Sequence, residues 1–167
     1  TASRRRLEAE LGAPVESLYK EFGDAPVAAA SIAQVHRAVT KGGRAVAVKI
    51  LRPRIEQAFA RDLELFFWLA GIMERRPQYR RLKPLELVRT LKESVFFELD
   101  LRFEAAAASE LAENVKAYGP GLRVPAADWN LTGKRVLTIE WVDGIALSDI
   151  DAIRAGGLDT KSILAKA

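Results

Sequence analysis

The sequence predicts an α+β fold in which several helices pack on a small antiparallel sheet. Extended segments at 33–51 and 124–142 supply the sheet, because β-branched and alternating apolar residues are frequent in both. Between them, residues 55–115 carry apolar side chains at the three- and four-residue spacing of amphipathic helices. The chain has 167 residues, 49% of them hydrophobic, which is enough for one domain with its own core.

A hairpin is predicted after two short leading helices that lie between residues 3 and 22. Residues 33–39 form its first strand, 41–44 its turn and 45–51 its second strand, which carries Lys49. The alternation predicts one apolar face on the first strand, formed by Ala33, Val35 and Val39.

Three longer helices are predicted after the hairpin. The first runs from about Ile55 to Pro77, and the second begins near Pro84. The third covers 99–115 and stops at the Gly-Pro-Gly sequence 119–121. Because no helix-breaking residue separates the second helix from the third, the sequence leaves their boundary open.

The end of the chain returns to extended structure and then to short helices. A turn is predicted at 131–134, and the last strand runs over 135–142. Short helical pieces are expected at 145–150 and 160–167.

Composition excludes several classes of function. There are no cysteines, so neither disulfides nor thiolate metal sites can form. The net charge is +4, but the basic residues are dispersed and no nucleic-acid-binding motif accompanies them, so no nucleic-acid partner is expected. The longest uncharged apolar run, 65–73, is much shorter than the roughly 20 residues that span a bilayer. No signal peptide is recognisable, and the missing initiator methionine suggests a piece of a longer protein.

An alanine-rich loop followed by a strand lysine indicates a nucleotide site. Residues 28–35 match the GxGxxGxV phosphate loop of protein kinases with alanine in place of each glycine. The next strand carries Lys49, where kinases keep a phosphate-pairing lysine. Because a β-carbon restricts the backbone, we expect a stiffer lid with altered nucleotide preference. The candidate contacts here are Ala28, Ala29, Ala30, Ser31, Val35 and Lys49.

A lysine that holds phosphate needs a carboxylate beside it, and Glu104 on the third helix is predicted to pair with Lys49. Asp100 lies four residues earlier, on the same helical face, and is left for a second cation or a metal ion. On a continuous helix Glu98 is turned about 120° from Glu104 and must contact another partner. The alternative is a solvated acidic face, which the upstream loop and lysine disfavour.

Residues 136–144 are candidates for binding an adenine base. A base needs backbone acceptors and donors at a strand end, and the Glu140 carbonyl and the Val142 amide are in position to supply them. Ile139 is expected at the gatekeeping position. Many buried strands have similar sequences. The assignment of 136–144 to adenine binding therefore depends on the position of this segment after Lys49 and Glu104 in the chain.

Four segments together resemble the UbiB family of atypical protein-kinase-like proteins: AAASIAQVHRA at 28–38, VAVKILRP at 46–53, ELDLRFEAA at 98–106 and VLTIEWVDG at 136–144. The resemblance implies a kinase-like N-terminal lobe with a helical insertion between the lysine strand and the glutamate helix. It also implies that 28–31 form the nucleotide loop and that Lys49 and Glu104 are catalytic partners. Glu98 and Asp100 would form the ExD motif of the family.

The resemblance further implies nucleotide binding, ATPase activity tied to lipid handling, and a place in ubiquinone biosynthesis. We therefore expect ATP or ADP with Mg²⁺ as cofactor. Expected partners are an anionic membrane surface, a polyprenyl lipid or other ubiquinone-biosynthesis proteins. The whole protein is expected to be cytoplasmic and peripheral to, or anchored at, the inner membrane, although this chain carries no predicted transmembrane segment.

On this interpretation residues 1–167 form one domain with five consecutive parts. They are leading helices (1–24), alanine-rich loop and lysine hairpin (25–52), inserted helices and ExD helix (53–120), sheet and hinge (121–144), and the start of a C-terminal lobe (145–167).

The sequence departs from the family pattern in several places. The KxGQ segment is absent, and Ala107 replaces the asparagine that follows the EAA of the ExD helix. The chain contains neither an HxD catalytic loop nor a DFG triplet. Because those segments hold Mg²⁺ in kinases, the Mg²⁺ ligands are expected mostly in a missing C-terminal lobe, no metal ligand is assigned here, and this chain alone is expected to be inactive.

The alternative function is a non-catalytic kinase-like scaffold that binds lipid or partner proteins. The single histidine, His36, is expected to be a half-buried or exposed strand residue without a ligand role. Five cations within nine positions can contact anionic lipid headgroups or simply keep a loop soluble: Arg75, Arg76, Arg80, Arg81 and Lys83.

Overall fold

The computed structural model describes residues 1–116, 123–145 and 149–157. Its helices are α1 (Ala2–Leu11), α2 (Val15–Leu18), α3 (Ile55–Glu74), α4 (Pro77–Arg80), α5 (Pro84–Glu98), α6 (Leu101–Lys116) and α7 (Ile150–Ala155), with a 3₁₀ turn at Trp129–Leu131. Its strands are β1 (Tyr19–Phe22), β2 (Ala28–Ala29), β3 (Ala33–Thr40), β4 (Ala45–Leu51) and β5 (Val136–Glu140). They form one antiparallel sheet in the order β1-β3-β4-β5, with β2 also paired to β3.

The predicted hairpin is present as β3 and β4. Its turn places Gly43 at φ 81°, a left-handed conformation that glycine adopts without steric cost. The predicted apolar face of Ala33, Val35 and Val39 is present, with Ala33 buried and both valines half-buried, but it is not the more deeply buried side of the strand. The buried side of β3 carries His36, Ala38 and Thr40, whereas Val35 is only half-buried on the opposite side, because the leading helices cover the even-numbered side chains.

The leading helix α1 packs on one face of the sheet. It ends at Gly12, which adopts a left-handed conformation (φ 72°) and donates its amide to the Glu8 carbonyl. Fully buried apolar side chains from helix and sheet meet here: Leu7, Val15, Tyr19, Ala38, Val46, Val48, Ile50 and Val136. Burial of this much apolar surface is the main stabilising contribution on this side.

The other face of the sheet packs against the start of α6. Leu101 and Ala105 of that helix contact Leu51 and Leu137 of the sheet in a second apolar cluster. Within the same cluster, Ala33 lies at the start of β3. This second face is the one that carries Lys49, because Lys49 and Leu51 alternate with the buried Val48 and Ile50 of the first.

The second predicted leading helix is a single turn followed by strand β1. Tyr19 and Phe22 pair with β3, and the Tyr19 hydroxyl lies 2.8 Å from Thr138 Oγ1 inside the core. Burial raises the pKa of Tyr19 to about 12. The prediction of helix up to residue 22 was wrong, because aromatic residues that complete a sheet edge and a buried hydrogen bond favour the extended form.

The second and third predicted helices are separated by a break at Leu99 and Asp100. The Leu101 amide donates to the Lys134 carbonyl at 2.8 Å, which turns the chain toward the sheet and starts α6 there. Helices α3 and α5 pack on each other and form the inserted pair, joined through α4. Among the described residues, no helix is long and apolar enough to cross a membrane.

A charged cluster joins the leading helix to the inserted pair. Glu56, in the first turn of α3, accepts bonds from Arg6 of α1 at 2.7 Å and from Arg135 at 2.5 Å. Arg135 also bonds to Glu10 at 3.2 Å. Partial burial is the largest influence on Glu56 and acts to raise its pKa, but the bonds from Arg135 and Arg6 together prevail and lower that pKa to about 2.

Two sequence predictions fall wholly or partly outside the described residues. They are the helix stop at 119–121 and the terminal helical piece at 160–167. The piece expected at 145–150 also lies partly outside the described residues, and α7 covers Ile150–Ala155.

Candidate functional site

Lys49 lies in a row of side chains that crosses the second face of the sheet. Val35 of β3 and Leu137 of β5 are its direct partners on either side. The neighbouring row places Ala47 opposite Ile139 on the same face. Leu137 is buried under α6, whereas the other four side chains are half-buried and border an open concave surface.

The ammonium of Lys49 pairs with the carboxylate of Glu104. Lys49 Nζ lies 2.6 Å from Glu104 Oε2, although the two residues are 55 positions apart in the chain. Their side chains are 29% and 46% exposed, so the pair is not sealed in the core. Because an ammonium has three donors and Glu104 takes one, donors remain for the oxygens of an anionic ligand.

Asp100 lies outside α6, whereas the sequence interpretation placed it inside the third helix, four residues before Glu104. It directly precedes α6 and accepts a bond from the Arg102 amide at 3.2 Å, as a helix N-cap does. The buried carboxylate also accepts two bonds from the Arg102 guanidinium, at 2.9 Å and 2.6 Å. These bonds are the largest cause of the lowered pKa of Asp100, and they outweigh its desolvation. Arg102 is thus the second cation that was expected beside it.

Glu98 ends α5 and is exposed to solvent. The predicted angle between Glu98 and Glu104 assumed a continuous helix, and the break at Leu99 and Asp100 removes that relation. Among the described residues, Glu98 makes no ion pair or side-chain hydrogen bond. The ExD motif therefore spans the junction of two helices. Glu98 is the last residue of α5, and Asp100 caps the start of α6.

The alanine-rich loop is a tight hairpin beside the Lys49 face. Ala28 and Ala29 form β2 and pair with Val35 and Gln34 of β3. The Ala30 amide donates to the Ala33 carbonyl at 2.9 Å and closes the tip, where Ser31 is exposed. The loop thus reaches the sheet at the row that contains Lys49.

The predicted hinge leaves the sheet after β5. Ile139 pairs with Ala47 on one side and with Ala127 on the other, so its strand position is fixed from both sides. The Glu140 side chain forms an ion pair with Arg123. Val142 is 54% exposed, and its amide donates to no group in the described part of the chain.

His36 lies away from this site. It is 1% exposed, and its Nδ1 lies 2.8 Å from the Gly23 carbonyl, while Phe22 stacks on the ring. The expected half-buried or exposed position was wrong, because the leading helices seal this face. In the described residues, no group of three or more His, Cys, Asp or Glu side chains is arranged to hold a metal ion.

Sequence reasoning missed two contacts near the site. Arg52 contacts the alanine-rich loop through its guanidinium, and Arg123 pairs with Glu140. Arg52 directly follows the lysine strand within VAVKILRP, so the motif contained it, but no periodicity marks its role. Arg123 lies outside every motif, and only the fold brings it near the hinge.

A small antiparallel sheet, a loop over one face, and a strand lysine paired with a helical glutamate define the N-terminal lobe of a protein-kinase-like fold. The chain belongs to the ABC1 atypical kinase-like domain family, whose model matches residues 2–167. This agrees with the resemblance to UbiB proteins that the motifs indicated.

Relatives and a solved structure support the same family. The "Probable protein kinase UbiB" of Marinobacter nauticus is 39% identical over 165 residues, which are 98% of this chain and 30% of that protein. The protein of the same name from Aeromonas hydrophila is 40% identical over 162 residues, 96% of this chain and 30% of that protein. The Rv3197–erythromycin complex from Mycobacterium tuberculosis superposes with a TM-score of 0.76 at 33% identity and covers 96% of this chain and 39% of that one. The chain thus spans about a third of the length of its relatives.

Proposed function

We propose that the protein carrying this chain is an atypical kinase-like phosphotransferase or ATPase that supports ubiquinone biosynthesis and binds an adenine nucleotide on the Lys49 face. One observation carries the proposal: Lys49 Nζ and Glu104 Oε2 are 2.6 Å apart beside the alanine-rich hairpin. A partly exposed lysine ammonium held by a carboxylate is the arrangement by which kinases bind phosphate, and a purely structural ion pair has no need of the adjacent loop.

Each residue of the site has a task in this proposal. Lys49 donates to the α- and β-phosphate oxygens, and Glu104 orients it. The hairpin of Ala28 to Ser31 covers the phosphates, while Val35 and Ile139 contact the base. The Glu140 carbonyl and the Val142 amide bind the adenine edge. All of these groups act by binding and orientation, which is the main contribution of proteins to phosphoryl transfer.

The nucleotide would bring Mg²⁺, which neutralises charge on the transferred phosphate. The described residues do not fit a Mg²⁺ site, because the buried Asp100 carboxylate is already bound by Arg102. Its ligands would come from segments of the HxD and DFG type, which this sequence does not contain. We therefore assign nucleotide binding, and not turnover, to this chain.

Substitution of Lys49 in the full-length protein tests the proposal. Lys49→Gln is expected to weaken Mg-ADP and Mg-ATP binding roughly tenfold or more, since a charge-assisted bond to phosphate is lost. Lys20→Gln removes an exposed lysine from β1 and is the matched control. Lys49→Arg keeps the positive charge and shows whether a loss of affinity comes from the missing charge or from a folding defect. Equal nucleotide affinities for Lys49→Gln and Lys20→Gln would overturn the proposal.

The second candidate is a scaffold that binds an anionic membrane surface, and the outer side of α3 favours it. Ala70 is the buried residue of this helix, and helical geometry places three exposed apolar side chains on the opposite side: Leu65, Trp68 and Ile72. This stripe ends at the basic cluster 75–83, where Tyr79 and Leu82 are also exposed. Apolar side chains next to cations are the pattern of helices that bind at the surface of anionic bilayers.

Vesicle flotation of the full-length protein distinguishes the two candidates. Double substitution Arg80→Gln with Arg81→Gln is expected to reduce binding to anionic phospholipid vesicles about fivefold per charge. Arg5→Gln with Lys20→Gln removes two exposed cations elsewhere and is the control. A melting temperature that ignores Mg-ATP and Mg-ADP, together with charge-dependent vesicle binding, would favour the scaffold over the nucleotide-binding lobe.

A further inference from the structure

We infer that Arg52 is a positioning residue that holds the alanine-rich hairpin in its observed conformation before any ligand binds. Arg52 is the first residue after β4, the strand that carries Lys49. The inference deepens the proposed function, on which its second part rests.

Two bonds connect Arg52 to the hairpin. Its amide donates to the Ile32 carbonyl at 2.7 Å, and its guanidinium Nε donates to the Ala30 carbonyl at 3.0 Å. The first bond is a main-chain bond that any residue but proline can make. The second bond depends on the arginine side chain, which is half-buried.

The Ala30 carbonyl is the group that a closed β-turn would use for itself. In such a turn the carbonyl of the first residue accepts from the amide of the fourth. Here the Ala30 amide donates to Ala33, but within the described residues the carbonyl of Ala30 accepts from Arg52 and not from the Ala33 amide. Arg52 thus replaces the missing turn bond with a charge-assisted one.

The tip of the hairpin has a second feature that suits an anionic ligand. The amides of Ser31 and Ile32 donate to no group in the described part of the chain. Amides at the tip of a loop are the groups that bind phosphate oxygens in nucleotide loops. Arg52 therefore holds the loop through a carbonyl and not through these amides, and a loop that is already ordered loses less entropy when the nucleotide binds.

Amide exchange and nucleotide affinity of the full-length protein test the inference together. Arg52→Gln is expected to increase exchange of residues 27–33 about tenfold without nucleotide, and to weaken Mg-ADP binding severalfold. Arg52→Lys, which can still reach a carbonyl, is expected to restore part of both. Arg44→Gln is the matched control, because Arg44 lies at the other end of the β3–β4 hairpin and pairs with Asp128.

The outcomes separate this inference from the proposed function. Unchanged exchange at 27–33 in Arg52→Gln overturns the inference, whatever the nucleotide affinity. Faster exchange with unchanged affinity overturns the link between loop order and binding. Failure of the unsubstituted protein to bind nucleotide would overturn the proposed function, while the exchange data would still decide whether Arg52 orders the hairpin.

Discussion

At the scale of single residues, two carboxylates only four positions apart, Asp100 and Glu104, have different surroundings. Glu104 is half-exposed and bonds to a lysine on the sheet, whereas Asp100 is buried and bonds to Arg102 and to the start of its own helix. Burial and partners, and not residue type, therefore separate a half-exposed carboxylate that pairs with a lysine from a buried one that caps a helix.

Glu104→Gln is predicted to weaken nucleotide binding roughly tenfold, because Lys49 loses the charge that orients it. The melting temperature should change little, since a pair this exposed contributes at most about 1 kcal/mol. Isothermal titration with Mg-ADP measures the first quantity. Glu113→Gln, on the same helix but paired with Lys116, is the control. Identical affinities of the two variants would contradict the assigned role.

Asp100→Ala is predicted to lower the free energy of unfolding by about 1–2 kcal/mol, because α6 loses its N-cap and Arg102 its partner. Asp100→Asn keeps the cap and should lose less. Urea unfolding followed by circular dichroism measures both. If the alanine and asparagine variants are equally stable, the cap is not the reason for the aspartate.

At the scale of elements, two sets of contacts connect segments that are distant in the sequence, and we call them the lid and the clamp. The lid is the alanine hairpin β2–β3, and the clamp is the charged cluster that joins α1, α3 and the start of β5. Both rely on arginines that bridge elements far apart in sequence: Arg52 bonds to Ala30, and Arg135 bonds to Glu10 and Glu56.

Glycine at Ala30 is predicted to loosen the lid, because removal of the β-carbon widens the allowed backbone conformations. The expected result is a changed affinity or a changed preference between ATP and ADP, measured by titration of the full-length protein. Glycine at Ala9, an exposed position on α1, controls for the general cost of glycine. Unchanged affinity and preference would show that the alanines do not determine how tightly or how selectively the protein binds a nucleotide.

The clamp predicts sensitivity to acid. The folded pKa of Glu56 is about 2 against an ordinary value of 4.5, so its contribution to stability is complete above pH 4.5 and is lost as the pH falls toward 2. Glu56→Gln should destabilise the protein at pH 7 and flatten the decline in melting temperature over that acid range. Glu21→Gln, an exposed residue of β1, is the control. A decline as steep as that of the unsubstituted protein would contradict the clamp.

At the scale of the whole molecule, local pattern and motif spacing predicted the hairpin, the inserted helices and the pairing of Lys49 with Glu104. They could not predict the α5–α6 break, because it depends on a bond from Leu101 to Lys134, which the fold brings close. Strand β1 was missed for the same reason, since Tyr19 finds its partner Thr138 at a separation of 119 residues. Sequence periodicity reports which face of an element is apolar, and long-range bonds decide where elements end.

The two faces of the sheet in this kinase-like lobe differ in how far they are buried. The face under α1 is closed and buries His36 and Tyr19, whereas the face under α6 remains open around Lys49. This asymmetry leaves Lys49 and Glu104 on the accessible face of the sheet.

Labelling with an ATP acyl phosphate, which transfers its acyl group to a lysine close to the bound phosphates, tests the central claim most directly. Peptide mapping of the full-length protein is predicted to find the label on Lys49, and free Mg-ATP or Mg-ADP should suppress it. Labelling of Lys49 that nucleotide does not suppress, or labelling confined to exposed lysines such as Lys20, would contradict a nucleotide site on this face.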